Sequence, residues 1–342
     1  MEIFDHKYND IISIENLLDA WTEFLKGKRK KKDVQLFSFN LMDNIFKLHS
    51  ELSNHTYRHR GYQAFNISDP RPRNIHKAAV RDRIVHHAVH RVLYPSFDKI
   101  FISDSFSCRI EKGTHKGINK FKKLFYKVSK NNTRNCWALK CDIKKFFDSI
   151  DHTILYQILK KRIPDKYILW LLKQIIVSFN KDAIQLSLFG EEQIIRGRGI
   201  PIGNLTSQLF ANIYLNEFDQ FIKHGPKIKH YLRYADDFVI LDREKTYLIN
   251  LIPKIERYLN RELRLFIHPN KLFIKTVSSG IDFLGWVNFP NHRVLRTTTK
   301  RRMYKRIIVS PNESTRQSYL GLIKHGNTYK VKVKFENLYQ NI

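Results

Sequence analysis

The chain has 342 residues, and its 61 Lys and Arg outnumber its 32 Asp and Glu to give a net charge of +29. A hydrophobic content of 42% excludes an intrinsically disordered chain and is enough for one large domain or two to three subdomains. The strong positive charge indicates a polyanionic partner, and nucleic acid fits this charge better than a membrane surface does.

Three cysteines, Cys108, Cys136 and Cys141, occur without a Cys-x-x-Cys spacing. This odd number predicts reduced thiols, with neither a disulfide framework nor a zinc site. The first residues lack the basic-then-apolar order of a signal peptide, and no run of about 18 apolar residues predicts a membrane span. We therefore expect a cytoplasmic protein with no membrane partner.

Two amphipathic helices are predicted in an N-terminal helical extension, residues 1–55. Apolar residues recur at helical spacing between positions 11 and 25, and a second helix is predicted over 37–52. Gly27 and a basic run at 28–32 separate the two helices. That run is equally consistent with a solvated loop and with an RNA-backbone contact.

Residues 56–136 follow, and Pro70 and Pro72 predict a turn between two short extended segments. Arg71 and Arg73 stand at this turn. Planar guanidinium groups suit phosphate oxygens because they bind them bidentately. These arginines are therefore candidates for phosphate contact, with ordinary surface charge as the alternative.

Two adjacent carboxylates, Asp236 and Asp237, stand between strand-forming residues, which predicts a β-hairpin whose tight turn holds both. An isolated Asp pair in a turn needs no chemical role. A third carboxylate, Asp142, however, ends another apolar run. Three such carboxylates suit two Mg²⁺ ions, which can clamp the attacking and leaving oxygens of a phosphoryl transfer.

Further helices are predicted where apolar residues recur three and four positions apart. They cover 153–161, 167–179 and 245–261, a segment that starts at Leu205, and 318–324 near the C-terminus. Asp148 and Asp151 are expected to cap the first of these helices.

The sequence Tyr234-Ala235-Asp236-Asp237 resembles motif C of reverse transcriptases, and Asp142 resembles the aspartate of their motif A. The resemblance extends over roughly residues 60–325. It implies two Mg²⁺ ions, with Mn²⁺ as an alternative, held by the three carboxylates and the backbone of Ile143. It also implies attack of a primer 3′-hydroxyl on the α-phosphate of a dNTP.

The same resemblance assigns residues around the incoming nucleotide. Arg73 matches the basic residue that grips the triphosphate, with Arg71 as second choice. Phe147, five residues after Asp142, matches the aromatic residue that fills the space of a ribose 2′-hydroxyl, which implies selection of deoxynucleotides. Core packing is the alternative role for Phe147.

The loop 196–204 and the helix after it resemble motif B, which packs against the nascent base pair. Most reverse transcriptases have Gln-Gly and later Ser-Pro here, whereas this chain has Ile202-Gly203 and Ser207-Gln208. This form resembles the reverse transcriptases of diversity-generating retroelements. An aliphatic side chain removes hydrogen bonds beside the nucleotide, and a site with less polar anchoring discriminates less sharply. Low fidelity opposite template adenines is what the resemblance implies.

Other motifs have matches along the rest of the chain. Lys271 matches the motif D lysine, a general acid for the leaving pyrophosphate. The remaining matches are a primer grip at Phe283, Leu284, Gly285 and Trp286, a template contact at Arg109, and duplex contacts at Tyr319 and Gly321. Core packing is the alternative for Trp286.

These matches imply an α+β right-hand polymerase. Its fingers are expected at 56–136, its palm at 137–290 with an antiparallel sheet backed by helices, and its small thumb at 291–342. Residues 155–198 are expected to form a fingers-like excursion from the palm.

Three alternatives remain open at this point: another class of reverse transcriptase, such as a group II intron or retron enzyme, an RNA-dependent RNA polymerase, and a non-catalytic RNA-binding protein. A group II intron enzyme usually carries further domains, but only 56 residues (342 − 286) follow Trp286. A retron enzyme is expected to carry NAxxH and VTG motifs, and neither occurs. An RNA-dependent RNA polymerase is disfavoured by Phe147, and a non-catalytic RNA-binding protein is disfavoured by the intact carboxylate set.

The retroelement resemblance also implies partners. These are a structured template-repeat RNA, an RNA/DNA hybrid, dNTPs and an accessory variability protein that is expected to be oligomeric.

Overall fold

A computed structural model of the chain describes residues 4–68, 72–179 and 197–340. The chain divides into two compact units. Unit 1 comprises residues 1–102, 144–221 and 257–266, and unit 2 comprises residues 103–143, 222–256 and 267–342.

The helices and strands alternate irregularly along the chain. The helices are α1 (Tyr8–Ile12), α2 (Ile14–Leu25), α3 (Lys32–Phe39), α4 (Leu41–Ser53), α5 (Val80–Ile100), α6 (Thr114–Val128), α7 (Phe146–Ser149), α8 (His152–Lys160), α9 (Lys166–Val177), α10 (Leu205–His224), α11 (Lys245–Leu263), α12 (Thr297–Val309), α13 (Glu313–Ile323) and α14 (Tyr329–Gln340). The strands are β1 (Tyr62–Ile67), β2 (Arg73–Ala78), β3 (Trp137–Asp142), β4 (Tyr231–Tyr234), β5 (Asp237–Asp242), β6 (Phe273–Thr276), β7 (Ile281–Phe283), β8 (Trp286–Asn288) and β9 (Arg293–Leu295).

The N-terminal helices of unit 1 differ in two respects from the sequence prediction. The apolar pattern between positions 11 and 25 is divided between α1 and α2, because the backbone of Ser13 is not helical and its side chain caps α2 by accepting a hydrogen bond of 3.2 Å from the Asn16 N–H. The predicted helix over 37–52 is wrong at its start, because Phe37 belongs to α3 and α4 begins after Asn40, whose backbone is not helical. Asp33 on α3 forms ion pairs of 2.7 Å with Lys77 and 2.5 Å with Arg83. These long-range pairs fix α3 against β2 and α5, and local periodicity carries no information about them.

The rest of unit 1 follows local signals. β1 and β2 pair as an antiparallel ribbon, which confirms the two predicted extended segments. Asp151 caps α8 by accepting a hydrogen bond of 3.1 Å from the Ile154 N–H, which confirms one of the two predicted caps. Arg71 lies outside the described residues, as does most of the polar connection in the predicted excursion 155–198.

Unit 2 is built on a four-stranded antiparallel sheet in the order β4-β5-β3-β6. One face is covered by α6, whose Phe121 and Phe125 pack with Val239 and Leu241 of β5. Because side chains alternate along a strand, Val239 and Leu241 share this face with Asp237. The predicted α+β class, with an antiparallel sheet backed by helices, is confirmed.

A second, smaller sheet of unit 2 has the order β7-β8-β9. It connects to α12, α13 and α14, whose apolar side chains enclose Trp286 and Phe335 in one cluster. The helix predicted over 318–324 is present as part of α13. Within the described residues, no helix is long and apolar enough to cross a membrane.

Candidate active site

The register of the large sheet places two of the predicted carboxylates side by side. Asp142 is the last residue of β3, and it is the pairing partner of Asp237, the first residue of β5. Tyr234 also pairs with Asp237, so the hairpin turn consists of Ala235 and Asp236 alone. The prediction that the turn holds both aspartates is therefore wrong for Asp237, which belongs to a strand.

The hairpin turn is held in an uncommon backbone conformation. Ala235 has a φ of 52°, a region that residues with a Cβ seldom occupy. Arg233 is fully buried, and its Nη1 donates a hydrogen bond of 3.0 Å to the Ala235 carbonyl. The Tyr234 hydroxyl lies 3.1 Å from the Thr114 hydroxyl at the start of α6. These contacts fix the turn, and hence the position of Asp236.

A lysine neutralises Asp142. Lys271 ends a short 3₁₀ helix, Pro269–Lys271, and its Nζ lies 2.8 Å from Oδ1 and 2.9 Å from Oδ2 of Asp142. The backbone N–H of His268 donates a hydrogen bond of 2.7 Å to the Asp142 carbonyl. The structure thus brings Lys271 together with the carboxylates across more than a hundred residues of sequence.

A second lysine, which sequence reasoning missed, neutralises Asp237. Lys140 is buried in β3, and its Nζ lies 3.2 Å from Oδ1 of Asp237. It precedes Asp142 by two positions, so the two side chains lie on the same face of the strand. That spacing from a motif A aspartate is the signal that could have identified it.

Burial and mutual repulsion disturb the titration of the two hairpin carboxylates. Burial, reinforced by the charge of Asp142, raises the pKa of Asp236 to about 6. Burial also raises the pKa of Asp237, and the nearby Lys140 ammonium opposes that rise. Groups held in such an unfavourable ionised state are typical of sites that bind a cation or a substrate.

The three carboxylates are suited to bind a Mg²⁺ ion that is also bound by water and phosphate oxygens. No group of three or more His, Cys, Asp or Glu side chains in residues 4–68, 72–179 and 197–340 is arranged to enclose a metal ion. Mg²⁺ is usually bound by one or two carboxylates, water and substrate phosphates, without an all-protein cage. The carboxylate oxygens of Asp142, Asp236 and Asp237 are hard donors of this kind, and the Lys271 ammonium is a cation that a metal ion could replace.

The backbone of Ile143 is compatible with the predicted metal role. Ile143 forms an isolated antiparallel bridge with Ile267, and the adjacent bond joins the His268 N–H to the Asp142 carbonyl. In such a pair the two opposed residues direct their own N–H and C=O groups away from each other. The Ile143 carbonyl therefore points away from Ile267, towards the side of β3 on which β5 lies.

Unit 1 assembles a different set of predicted residues, around the loop 197–204. The Ile200 N–H donates a 2.8 Å hydrogen bond to the Phe147 carbonyl, and the His76 N–H donates a 3.1 Å bond to the Ile202 carbonyl. The side chain of Asn204 donates a 3.0 Å bond to the His76 carbonyl. The loop is thus joined to α7 on one side and to β2 on the other.

Gly203 is required by the geometry of this loop. Its φ is 111°, and a Cβ at this position would lie 2.9 Å from Cγ2 of Ile75 on β2. Ile202 beside it is half-buried, and Gln208 is exposed in the first turn of α10. A side chain at position 203 would therefore push the loop away from β2.

The remaining predicted nucleotide contacts are also in unit 1. Phe146 is buried and Phe147 half-buried, with their rings edge to face at a centroid distance of 5.4 Å. Part of the Phe147 ring is therefore available to a ligand. Arg73 is exposed at the first position of β2, where it pairs with Ile67.

Of the four residues predicted to form the primer grip in unit 2, two belong to the hydrophobic core and two form a turn. Phe283 and Trp286 are buried, so core packing, the alternative considered for Trp286, describes its side chain. Leu284 and Gly285 form the turn between β7 and β8 and have positive φ values of 54° and 83°. Of the four predicted residues, only Leu284 and Gly285 are partly exposed.

The predicted template and duplex contacts are dispersed through unit 2. Nη1 of Arg109 donates a hydrogen bond of 3.1 Å to the Ser105 carbonyl. Tyr319 is half-buried on α13 and contacts the ring of Phe335 edge to face, whereas Gly321 is exposed with open space around its Cα. The structure does not gather these residues into one cluster.

The three thiols are free, and they differ in exposure. Cys108 is exposed, whereas Cys136 and Cys141 are buried in β3 or beside it. Burial raises the pKa of both buried thiols, so they remain protonated at neutral pH. The prediction of unpaired cysteines is confirmed.

Comparison with known proteins gives a consistent result. Residues 66–287 match the family described as reverse transcriptase (RNA-dependent DNA polymerase). Protein YkfC of Escherichia coli K12 is 27% identical over 271 residues, which cover 70% of this chain and 67% of YkfC. The group II intron-encoded protein LtrA of Lactococcus lactis subsp. cremoris is 29% identical over 141 residues, but these cover 41% of this chain and 21% of LtrA.

A solved structure extends the likeness to the fold. Apo telomerase from Candida tropicalis, truncated from its C-terminal domain, has a TM-score of 0.50 and 13% sequence identity, covering 75% of this chain and 60% of the telomerase chain. At this identity the likeness concerns the fold alone. The right-hand polymerase fold predicted from the sequence is confirmed.

Proposed function

Because the chain belongs to the reverse transcriptase (RNA-dependent DNA polymerase) family, we propose that it copies RNA into DNA at Asp142, Asp236 and Asp237. The observation that carries this proposal is the pairing of Asp142 with Asp237 across β3 and β5, beside the turn that holds Asp236. These carboxylates and the Ile143 carbonyl would hold two Mg²⁺ ions, with Mn²⁺ as the alternative. When bound, the ions supply charge stabilisation to the attacking and leaving oxygens.

The two lysines have distinct roles in this proposal. Lys271 would leave Asp142 for the triphosphate and donate a proton to the departing pyrophosphate as general acid. Lys140 would stay beside Asp237, because it is buried within β3 and holds that carboxylate ionised and in place. Lys140 is thus a positioning residue.

The loop of unit 1 would form the nucleotide pocket. Gly203 allows the close approach of loop and β2, and Arg73 on the same strand would contact the triphosphate. The half-buried ring of Phe147 would exclude a ribose 2′-hydroxyl by steric clash. Gln208, at the exposed start of α10, would contact the nascent base pair.

We assign the subdomains as predicted, with fingers at 56–136, palm at 137–290 and thumb at 291–342. The turn Leu284–Gly285 would grip the primer, and Arg109, Tyr319 and Gly321 would contact the template or the duplex. Contacts of this kind fix position on the phosphate backbone without reading sequence.

The test of the catalytic proposal is primer extension with purified protein, an RNA template, a DNA primer, dNTPs and Mg²⁺. We expect DNA product from the wild type and none from Asp236→Ala. Asp242→Asn is the matched control, because Asp242 is the carboxylate at the opposite end of β5. Product that persists in Asp236→Ala would overturn the proposal, and an inactive wild type would favour a non-catalytic RNA-binding role.

We further propose that synthesis is error-prone opposite template adenines, as in diversity-generating retroelements. The support is the aliphatic Ile202 at a position where most reverse transcriptases have glutamine. The RNA would be a structured template repeat, and an oligomeric accessory variability protein would assist. Sequencing of cDNA made with and without such partners tests this, and Ile202→Gln should lower the error rate opposite adenine.

A second candidate is another bacterial reverse transcriptase, of the group II intron or retron type, with ordinary fidelity. The similarity to the group II intron-encoded protein LtrA favours the group II intron type. Accurate cDNA from the wild type, unchanged in Ile202→Gln, would select this candidate and reject the mutagenic one.

A further inference from the structure

A cavity of about 420 Å³ lies in unit 2 between α6, the β8–β9 hairpin and the loop after α13. It is lined by amides, two cations and aromatic rings: Asn119, Phe121, Lys122, Phe125, Asn288, Phe289, Asn291, His292, Arg293, Gly326 and Asn327. No carboxylate occurs among these lining residues. Its volume is within the range of pockets that bind a small organic ligand.

The walls of this cavity are fixed by packing. The guanidinium of Arg293 lies 5.7 Å from the ring centroid of Trp286, and its Nη1 donates a hydrogen bond of 3.2 Å to Asn119. The Asn327 N–H donates a 2.8 Å bond to the Arg293 carbonyl. A Cβ at Gly326 would lie 2.0 Å from Cζ3 of Trp286, so only glycine lets this loop close over the ring.

The cavity continues into a basic groove on the outer face of α6. This groove, of about 620 Å³, is lined by Asn119, Lys122, Lys123, Tyr126, Lys127 and Asn131. Asn119 and Lys122 belong to both spaces. The three lysines are exposed, and the Lys122 ammonium lies 5.6 Å from the ring centroid of Tyr126.

The two spaces are separate from the turns assigned to catalysis and to the primer. The α6 contact with the catalytic hairpin is at Thr114, whereas the helical residues that line the groove extend from Asn119 to Lys127, roughly 7–20 Å further along the helix. The β8–β9 hairpin tip at Phe289–His292 lies at the opposite end of β8 from Gly285. The primer turn and the cavity therefore occupy different ends of the small sheet.

We propose that the cavity and groove together bind an unpaired stretch of single-stranded nucleic acid, with one base in the cavity and its neighbouring phosphates along α6. Single-strand sites combine a cationic groove with aromatic rings on which bases stack. Phe289 and His292 supply a stacked ring pair at a centroid distance of 4.8 Å, and the amide side chains can hydrogen-bond a base edge. A flat surface of lysines would lack this enclosed space.

Location is tested first, by photocrosslinking the full chain to a ten-nucleotide RNA that contains 4-thiouridine. We expect crosslinked peptides that cover 119–131 and 288–293, and weaker crosslinking in the presence of excess unlabelled single strand but not of blunt RNA/DNA duplex. A matched DNA oligonucleotide with 4-thiothymidine shows whether the site distinguishes the two sugars. Crosslinks absent from both segments, or removed equally by duplex, would overturn the proposal.

The role of the groove's positive charge is tested by comparing two double variants. Lys122→Ala/Lys127→Ala removes two lysines of the groove. The matched control, Lys229→Ala/Lys254→Ala, removes two exposed lysines elsewhere in unit 2. Each phosphate contact contributes about 0.7 to the slope of log Kd against log salt for a single strand. We expect the first pair to lower that slope by about 1.4 and the second to leave it unchanged. Equal slopes in both variants would overturn the proposal. Extension of a short primed template, with Asp236→Ala as the inactive control, reports separately on the polymerase.

Discussion

The two regions that carry the predicted chemistry are organised on opposite physical principles. In the hairpin region of unit 2, three carboxylates meet two lysines, and each of Asp142 and Asp237 has its own ammonium partner. In the loop region 197–204 of unit 1, the contacts are backbone hydrogen bonds, the side-chain hydrogen bond of Asn204 to the His76 carbonyl, and the close packing of Gly203 on Ile75. Charge organises the first region and shape organises the second.

This difference predicts which substitutions each region can tolerate. Ionised groups held in partly buried positions store unfavourable free energy that a cation relieves, so the hairpin is adapted to bind metal and phosphate. A loop fixed by its backbone keeps its form when an uncharged side chain such as Ile202 changes. We therefore expect substitutions in the hairpin to abolish synthesis, and substitutions of loop side chains to alter selectivity.

The largest effect is expected from Asp237→Asn. The change preserves side-chain volume but removes a charge at the point where β3 and β5 meet, so kcat should fall by about 10³-fold or more, since several kcal/mol of charge stabilisation are lost. Steady-state primer extension measures it, with Asp242→Asn as the control on the same strand. Residual activity within tenfold of the wild type would show that charge does not organise this region.

The next effect concerns stability and follows from the raised pKa of Asp236, about 6 against 3.8 in the unfolded chain. The folded state binds the Asp236 proton more tightly, so the contribution of Asp236 to the free energy of unfolding should fall as pH rises from about 4 to 6. In chelator at pH 7.5, Asp236→Asn should increase that free energy by up to about 3 kcal/mol, at about 1.4 kcal/mol per pKa unit. Urea unfolding at pH 7.5 and pH 4 measures it, and an equal gain at both pH values would contradict the charge explanation.

Lys271→Met should lower kcat by about 10²-fold, because a general acid typically contributes at least that much. Steady-state primer extension measures the defect. Lys275→Met, at the exposed position of strand β6, is the matched control. An unchanged kcat in Lys271→Met would leave Lys271 as a charge partner of Asp142 alone.

The smallest effect is expected in the loop region. Gly203→Ala places a Cβ 2.9 Å from Ile75 in a backbone conformation of positive φ, and we expect kcat/KM for dNTPs to fall about tenfold. Gly61→Ala, whose Cβ would meet open space, should be silent. A silent Gly203→Ala would show that close packing on β2 is not needed.

Local sequence patterns predicted many of the helices and strands, because each pattern involves residues that are close together in the sequence. Strand-forming residues around an Asp pair predicted the β4–β5 hairpin, and an Asp three residues before Ile154 predicted the cap of α8. The start of α4 was mispredicted, because Asp33 fixes α3 through partners on β2 and α5. Helical periodicity alone could not place that boundary.

The candidate site was predictable as a set of residue types but not as a geometry. The sequence shows three carboxylates, whereas the register that opposes Asp142 to Asp237 is set by pairing of strands 95 residues apart (237 − 142). Lys140 went unnoticed because a lysine in a strand usually faces solvent. Its burial beside Asp237 becomes visible only when β3 and β5 are paired.

The unequal exposure of the three thiols makes the chain a ready substrate for site-specific spectroscopy. Maleimide dyes react with thiolates at accessible positions, and of the three thiols only Cys108 is exposed. A single fluorophore could therefore be attached to the native sequence, one residue from Arg109. Its emission would follow nucleic acid arriving at that part of unit 2 in real time, without any engineered cysteine.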